Sequence, residues 1–144
     1  MILEDCTVEE AGLNDEYGCP LSKLTHHHKI IVDGDVVGYI GYFAVPDDDI
    51  ARLCMLCVVI KEKYRGNGYY RKCLELYLKT WHEANIKFWV ITQLLHKQAK
   101  KVCKSLGFEY TGKDKYYMYH NIKPREAQLE FTHNFIDILT KNNR

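Results

Sequence analysis

The segment that most constrains the fold is an apolar run followed by a basic, glycine-rich turn and an amphipathic helix. The run, residues 50–61, contains LCMLCVVI, a pattern typical of a largely buried strand. The turn KYRGNG follows it, and from residue 69 to about 84 apolar side chains recur every three or four positions. Such a strand–loop–helix unit collects backbone N–H groups and the positive end of a helix dipole in one place, so it predicts an anion site.

The loop has two glycines and then two tyrosines. Gly66 and Gly68 can adopt a positive φ and let a ligand approach the backbone. Tyr70 stands where such loops often carry a third small residue, but it also begins the apolar stripe of the following helix. We therefore expect its ring to face the core and its amide to face the anion, with Tyr69 meeting solvent or ligand. Taken alone, R-G-N-G is equally typical of an ordinary surface turn.

The rest of the pattern predicts an α+β (mixed α/β) fold in a single domain, residues 1–144. The strands are expected at 29–33, 36–45, 50–61, 87–92, 108–111 and 115–120, and the helices at 69–84, 95–106 and 124–140. A short strand or turn and one helical piece are expected in residues 1–28. This order predicts a central, mostly antiparallel, twisted sheet of six to seven strands, flanked by helices and followed by an extra C-terminal helix.

Composition and charge narrow the class of protein. With 47% hydrophobic and 27% charged residues the chain is typical of a folded globular protein. No apolar run reaches the length of a membrane span, and the N-terminus lacks the basic start of a signal peptide, so we expect a cytoplasmic protein. The net charge is only +1, which makes nucleic-acid binding unlikely as a main function. Basic clusters at 61–72 and 97–104 instead favour a small polyanionic ligand.

Two motifs invite a metal or redox interpretation, and neither is strong. Cys54 and Cys57 form a C-x-x-C inside the strand-like run, without a second ligand pair, which indicates buried thiols in a reducing compartment. The adjacent His26, His27 and His28 cannot easily converge on one ion, so solvated surface is expected. We predict no metal site.

The order of elements resembles the GNAT superfamily of acetyl-CoA-dependent N-acetyltransferases over residues 29–120. The loop matches that family's Q/R-x-x-G-x-G/A signature, and SLGFEY matches its Leu-Gly-Phe phrase. The resemblance implies acetyl-CoA as co-substrate, with the pantetheine arm on a bulged fourth strand and Lys100 or Lys101 near the nucleotide. The implied cofactor-binding residues lie in that strand and loop: Val58, Val59, Ile60, Arg65, Gly66, Asn67, Gly68, Tyr69 and Tyr70.

The chain departs from the family where the chemistry would occur. Cys103 stands at the position of the tyrosine that protonates the leaving thiolate in many members, and His96 stands at that of an asparagine. The two are seven residues apart and share a helix face, so both are candidate catalytic residues. The alternative interpretations are that Cys103 is a thiol of the hydrophobic core and that His96 is a helix-cap residue. The fourth strand has no carboxylate, and Asp47, Asp48 and Asp49 lie at its entry, so proximity with water as proton acceptor is a further route.

These residues lead to two hypotheses of different class. In the first, the protein is an N-acetyltransferase in which a primary amine attacks the thioester directly. Acidic residues concentrated in 1–22 favour a cationic acceptor, a small-molecule amine or a Lys-bearing protein. The C-terminal helix would complete a short acceptor region or form a homodimer contact. In the second, the fold has lost catalysis and serves as a binding or structural protein.

Overall fold

The computed structural model describes residues 1–16, 18–47, 50–85 and 87–141, with the backbone alone described for 45–47 and 50–54. Within these residues the chain forms seven strands and four α-helices. The strands are β1 (Ile2–Asp5), β2 (His26–Val32), β3 (Asp35–Asp47), β4 (Ile50–Ile60), β5 (Lys87–Gln93), β6 (Glu109–Gly112) and β7 (Lys115–His120). The helices are α1 (Val8–Gly12), α2 (Tyr69–Glu83), α3 (Lys97–Ser105) and α4 (Glu126–Lys141), and 3-10 turns lie at Leu21–Lys23 and Glu62–Tyr64.

The predicted mixed, mostly antiparallel architecture is confirmed. One sheet holds the strands in the order β1-β2-β3-β4-β5-β7-β6. Of the described pairings only β4 with β5 is parallel. The C-terminal helix is present but begins at Glu126 rather than at Pro124. The first helical hydrogen bond runs from Leu129 to Arg125, and the Gln128 side chain accepts from the Arg125 N–H at 2.8 Å.

Helices cover both faces of the sheet. On one face α2 and α3 pack against the strands through Leu74, Tyr77, Phe88, Val90 and Val102, among other buried side chains. The predicted apolar stripe of α2 is confirmed there: Cys73, Leu74, Tyr77 and Leu78 are buried, and Tyr70 and Trp81 are partly buried. On the other face α1 and α4 meet residues of opposite parity, including Cys57, Val59, Trp89 and Ile91. Strand alternation thus places Leu56 and Cys57 in different cores.

A bulge separates β4 from β5. The two strands pair only between Ile50–Leu53 and residues 87–90. Two residues after Leu53 in β4 comes Met55, whose φ of 56° is unusual for a non-glycine residue, and the register of β4 against β3 shifts at the same point. Beyond the bulge no further β4–β5 pairing is found in the described chain, although the buried Thr92 hydroxyl of β5 donates to the carbonyl of Leu56. β4 therefore leaves β5 halfway along its length, as the resemblance implied.

The prediction that the three adjacent histidines form solvated surface was wrong for His27, which is buried, whereas His26 is exposed and His28 is partly buried. They lie in β2, where His27 is buried and its Nε2 contacts the Leu21 carbonyl oxygen at 2.6 Å. His26 stacks on Tyr42, and His28 lies between Asp5 and the Tyr77 hydroxyl. The sequence indicated three polar neighbours, but a strand turns alternate side chains inward. Cys57 is a buried free thiol as predicted, whereas the side chain of Cys54 lies outside the described residues.

Polar contacts dock α4 onto the sheet. The Lys115 side chain is 1% exposed, and its ammonium donates to Asp137 of α4 at 2.7 Å. Lys23 donates to the Leu139 carbonyl, and the Thr111 hydroxyl lies 2.7 Å from a ring nitrogen of His133. Among the helices of the described ranges, none combines the length and apolar character needed to cross a membrane.

We predict that Asp137→Asn lowers the free energy of unfolding by about 3 kcal/mol, because it leaves the buried Lys115 ammonium without its counter-charge. Asp114→Asn is the matched control: it removes a similar ion pair, with Lys100 at 2.9 Å, whose side chains are 31% and 50% exposed. That pair is more exposed to solvent and should contribute much less to stability. Urea unfolding followed by circular dichroism measures both. If both variants lost the same free energy of unfolding, the burial of Lys115 would not determine the cost of removing its partner.

Candidate functional site

The parting of β4 and β5 opens a cleft of about 560 Å³ on the α2–α3 face of the sheet. Four segments supply its walls: the end of β4, the loop after it, the first turn of α2 and the start of α3. The lining residues are Glu16, Val58, Ile60, Tyr64, Arg65, Gly66, Gly68, Tyr69, Tyr70, His96, Gln98, Ala99 and Val102. Eight of the eleven residues predicted from the sequence are in this set, and Val59, Asn67, Cys103 and the lysines of α3 are not.

One end of the cleft has the geometry of an anion site. Gly66 and Gly68 have φ values of 85° and 75°, and a Cβ added to either would meet nothing within 4 Å. Their positive φ, rather than crowding, is thus what favours glycine. Gly68 is the N-cap residue of α2, and within the described part of the chain no side-chain hydrogen bond caps that helix. The N–H groups of the first turn therefore lack internal acceptors and carry the positive end of the helix dipole.

The second wall is the free edge of β4. The Leu56 carbonyl points toward β5, where Thr92 donates to it, and alternation turns the N–H and C=O of Val58 the same way. Val59 faces β3 instead, because the Lys61 N–H donates to the Val37 carbonyl of β3 and backbone groups two residues apart point the same way. Ile60 also faces the cleft, but its carbonyl accepts from the Arg65 Nε at 2.9 Å. Val58 is therefore the residue whose backbone can add hydrogen bonds to an extended ligand.

Arg65 does not extend freely over the anion end. Besides its bond to Ile60, its guanidinium donates to the Glu16 carboxylate at 2.6 Å. Glu16 comes from the segment between α1 and β2 and thus brings an acidic group to the mouth of the cleft. Sequence analysis missed it, because the contact joins residues 49 apart and no local pattern marks it.

A smaller cavity of about 50 Å³ continues inward from the cleft through the gap between β4 and β5. Its walls include Leu56, Thr92 and Ala99, and also Gly18 and Cys19 from the segment between α1 and β2. The inner cavity therefore connects the α2–α3 side of the sheet with the α1 side. Tyr70 and His96 line both cavities and stand at their junction.

His96 is an exposed residue immediately before α3. It occupies the N-cap position with extended backbone, but its side chain makes no capping hydrogen bond. The alternative interpretation as a helix cap therefore has no support from the hydrogen bonds. His96 therefore presents an imidazole at the rim of both cavities.

Cys103 lies beneath Tyr70 and does not line the cleft. It is 1% exposed, and its Sγ lies 3.7 Å from the Tyr70 hydroxyl. Burial raises the pKa of the Cys103 thiol to about 11, although the hydrogen bond from Tyr70 lowers it. Burial also raises the pKa of Tyr70, with the thiols of Cys103, Cys19 and Cys57 adding to the effect. The two candidate catalytic residues share a helix, but only His96 reaches the cleft.

Other candidates lie away from the cleft. Lys100 is bonded to Asp114, and neither Lys100 nor Lys101 is in the cleft lining. Asp48 and Asp49, and the side chain of Asp47, fall outside the described residues.

Comparison with known proteins gives a consistent assignment. A model of the acetyltransferase (GNAT) family matches residues 4–108. Among solved structures, a chimera of the spermidine N-acetyltransferase SpeG from Vibrio cholerae and hSSAT is similar in fold, with a TM-score of 0.60 and 11% identity. That match covers 83% of this chain and 96% of the other. No curated protein sequence matches.

A second solved structure, a ribosomal-protein-S5-alanine acetyltransferase from Vibrio fischeri, has a TM-score of 0.52 and 13% identity. Here 70% of this chain and 65% of the other are covered. At these identities both structures support the fold and say nothing about the substrate.

We predict that iodoacetamide at pH 8 leaves Cys103 unmodified in the folded protein. With a pKa of about 11, about one thousandth of this thiol is ionised at that pH, and the thiolate is the nucleophile. Peptide mass spectrometry measures the modification, with urea-unfolded protein as the control in which all six cysteines react. Modification of Cys103 in the folded protein as fast as that of the half-buried Cys19 would contradict its placement.

Proposed function

The chain belongs to the GNAT family of acetyltransferases, and from that premise we propose that it transfers an acetyl group from acetyl-CoA to a primary amine. The amine would attack the thioester directly. The observation that carries the proposal is the continuity of the cleft: a free strand edge at Val58 leads to the uncapped N-terminus of α2. An extended amide chain that ends in a pyrophosphate needs those two features in that order.

The fit to acetyl-CoA can be argued group by group. The amides of the pantetheine arm are donors and acceptors that pair with the backbone of Val58 as an added strand would. The pyrophosphate suits the first-turn N–H groups of Tyr69 and Tyr70 beside Gly66 and Gly68. Val59 faces β3, and the Ile60 carbonyl already accepts from Arg65. Of the three β4 residues predicted to bind the pantetheine arm, Val58 is therefore the one proposed to pair with it. Asn67, whose amide donates to Tyr64, would then hold the loop's shape.

The acceptor would enter from the α1 side through the inner cavity. A cavity of about 50 Å³ accommodates a few heavy atoms, which suits an acetyl group meeting an amine nitrogen. His96 stands at the junction and can remove the proton that the amine loses. Acceptors named for the similar structures are spermidine and a ribosomal protein's alanine, so a small-molecule amine or a protein amine is proposed here.

Two observations favour the alternative, a GNAT fold without catalysis. The Tyr70 ring stands between the two cavities, and the Glu16–Arg65 ion pair crosses the anion end. Both narrow the path that acetyl-CoA would take. Two further expectations remain proposals: a cytoplasmic location, and a homodimer through the outer face of α4, where Phe131 and Ile138 are exposed.

Calorimetric titration with acetyl-CoA tests the proposal, and Gly68→Glu should abolish the binding that the native chain shows. The substitution puts a carboxylate where the phosphates are proposed to lie. Gly34→Glu is the matched control: Gly34 also has positive φ, at 82°, and open space at its Cβ, but it lies in the β2–β3 turn. The control therefore carries the same charge and the same backbone strain.

Three outcomes would count against the proposal. If the folded native chain does not bind acetyl-CoA at millimolar concentration, the acetyltransferase function is wrong. If Gly68→Glu binds as well as Gly34→Glu, the phosphates lie elsewhere. If acetyl-CoA binds while spermidine and Lys-bearing and Ala-terminated peptides are not acetylated, the result favours the alternative without catalysis.

A further inference from the structure

Direct transfer poses a problem at the sulfur, and this inference rests on the proposed function. When the amine nitrogen bonds to the carbonyl carbon and the C–S bond breaks, the CoA sulfur leaves with the electron pair. A hydroxyl placed at the sulfur can donate its proton and lower the barrier. Position 103 cannot supply this group in the structure, since Cys103 is buried and lines neither cavity.

Among the described residues that line both cavities, three have side chains that can exchange a proton: Glu16, Tyr70 and His96. The Glu16 carboxylate is paired with the Arg65 guanidinium. The Thr92 hydroxyl is committed to the Leu56 carbonyl, and the Cys57 thiol is fully buried with a hydrogen bond to Cys19. His96 is exposed at the rim and is the group already proposed to take the proton that the amine loses. Tyr70 remains: its side chain reaches inward from the first turn of α2, between the free edge of β4 and the inner cavity.

We propose that Tyr70 is a catalytic residue whose hydroxyl protonates the leaving sulfur of acetyl-CoA. The N–C bond forms and the C–S bond breaks, the phenolic proton passes to sulfur, and CoA departs as the thiol. The proton lost by the amine goes to His96 or water, and the phenolate takes back a proton from solvent. The reaction is thus balanced without a further reactant.

The local packing explains why the hydroxyl comes from α2. Tyr70 fills a position that is small in the signature loop, and Cys103 is small where a tyrosine would be expected. The 3.7 Å between the Tyr70 hydroxyl and Sγ of Cys103 shows that the two side chains share one space. A tyrosine at 103 would compete for that space with the Tyr70 ring. Compared with the family pattern, the large side chain lies on α2 and the small one on α3. This exchange keeps the packed volume the same and places the hydroxyl on α2.

The environment keeps this hydroxyl in its donor form. Desolvation raises the pKa of Tyr70, so the phenol stays protonated across the physiological range. Its hydrogen-bonding neighbour is a thiol, which holds it weakly and leaves it able to turn toward a ligand. A hydroxyl already held by a carboxylate would be less available.

The first test is Tyr70→Phe, which keeps the ring and removes the hydroxyl. We expect kcat for the best amine of the acceptor series to fall about 100-fold or more, while the Kd for acetyl-CoA changes little. Tyr110→Phe on the exposed edge strand β6 is the matched control and should retain full activity. A second readout needs no acceptor: the thiol of bound CoA, titrated by its ultraviolet absorbance, should have a higher pKa in Tyr70→Phe, because the donor to its thiolate is gone.

The second test exchanges the two side chains. Tyr70→Ala alone should be as inactive as Tyr70→Phe, and the double variant Tyr70→Ala/Cys103→Tyr should recover activity at least tenfold over Tyr70→Ala. A purely structural role for Tyr70 would leave the thiol pKa of bound CoA unchanged in Tyr70→Phe.

The contrary outcomes are distinct. Full activity of Tyr70→Phe together with an unchanged thiol pKa would overturn the role of Tyr70 and leave the acetyltransferase function standing. Higher activity of Tyr70→Ala would also overturn it, because the ring would then be an obstruction. Failure of the native chain to bind acetyl-CoA would overturn the proposed function, and this inference with it.

Discussion

The bulge at Met55 is the constraint on which the rest of the site depends. A regular β4 would pair with β5 along its whole length and leave no backbone free between them. Instead pairing ends at Leu53, one residue adopts a positive φ, and the next part of β4 turns its edge to a cleft. The cost of a non-glycine residue in that conformation is about 1–2 kcal/mol, offset here by full burial of the Met55 side chain in the α1–α4 core.

The separation of β4 from β5 forms the cleft and lets residues from both faces of the sheet contribute to it. Since β4 and β5 remain joined below the bulge, the gap is closed at one end and open toward the start of α2. The α2–α3 face supplies the anion end, and the α1 side supplies Cys19 and Glu16. Tyr70 lies where the two halves meet. At this position Tyr70 either donates a proton to the leaving sulfur or blocks the path of acetyl-CoA. The variants Tyr70→Ala and Tyr70→Ala/Cys103→Tyr distinguish these two roles.

The features that could be predicted from the sequence are those determined by residues close together in the chain. The β4–loop–α2 unit, the apolar stripe of α2 and the anion loop all arise from short-range periodicity and glycine conformation, and each lies where it was expected. Contacts between residues far apart in the sequence were not predicted, because local periodicity carries no information about them. His27 is buried because β2 is covered by the Leu21 turn, and Glu16 reaches Arg65 only through tertiary folding. Cys103 and His96 share a helix face in sequence, yet Tyr70 covers one and leaves the other at the rim.

The central claim is that acetyl-CoA lies along the edge of β4 with its phosphates at the N-terminus of α2. The most direct measurement is a nuclear magnetic resonance titration of the uniformly ¹⁵N-labelled chain with acetyl-CoA, followed through the backbone amide shifts. The account predicts saturable changes at Val58 and from Gly66 to Arg71, with little change at His26 and Thr25 in the pocket beside β1. Amide changes confined to that other pocket, or none at millimolar acetyl-CoA, would contradict it.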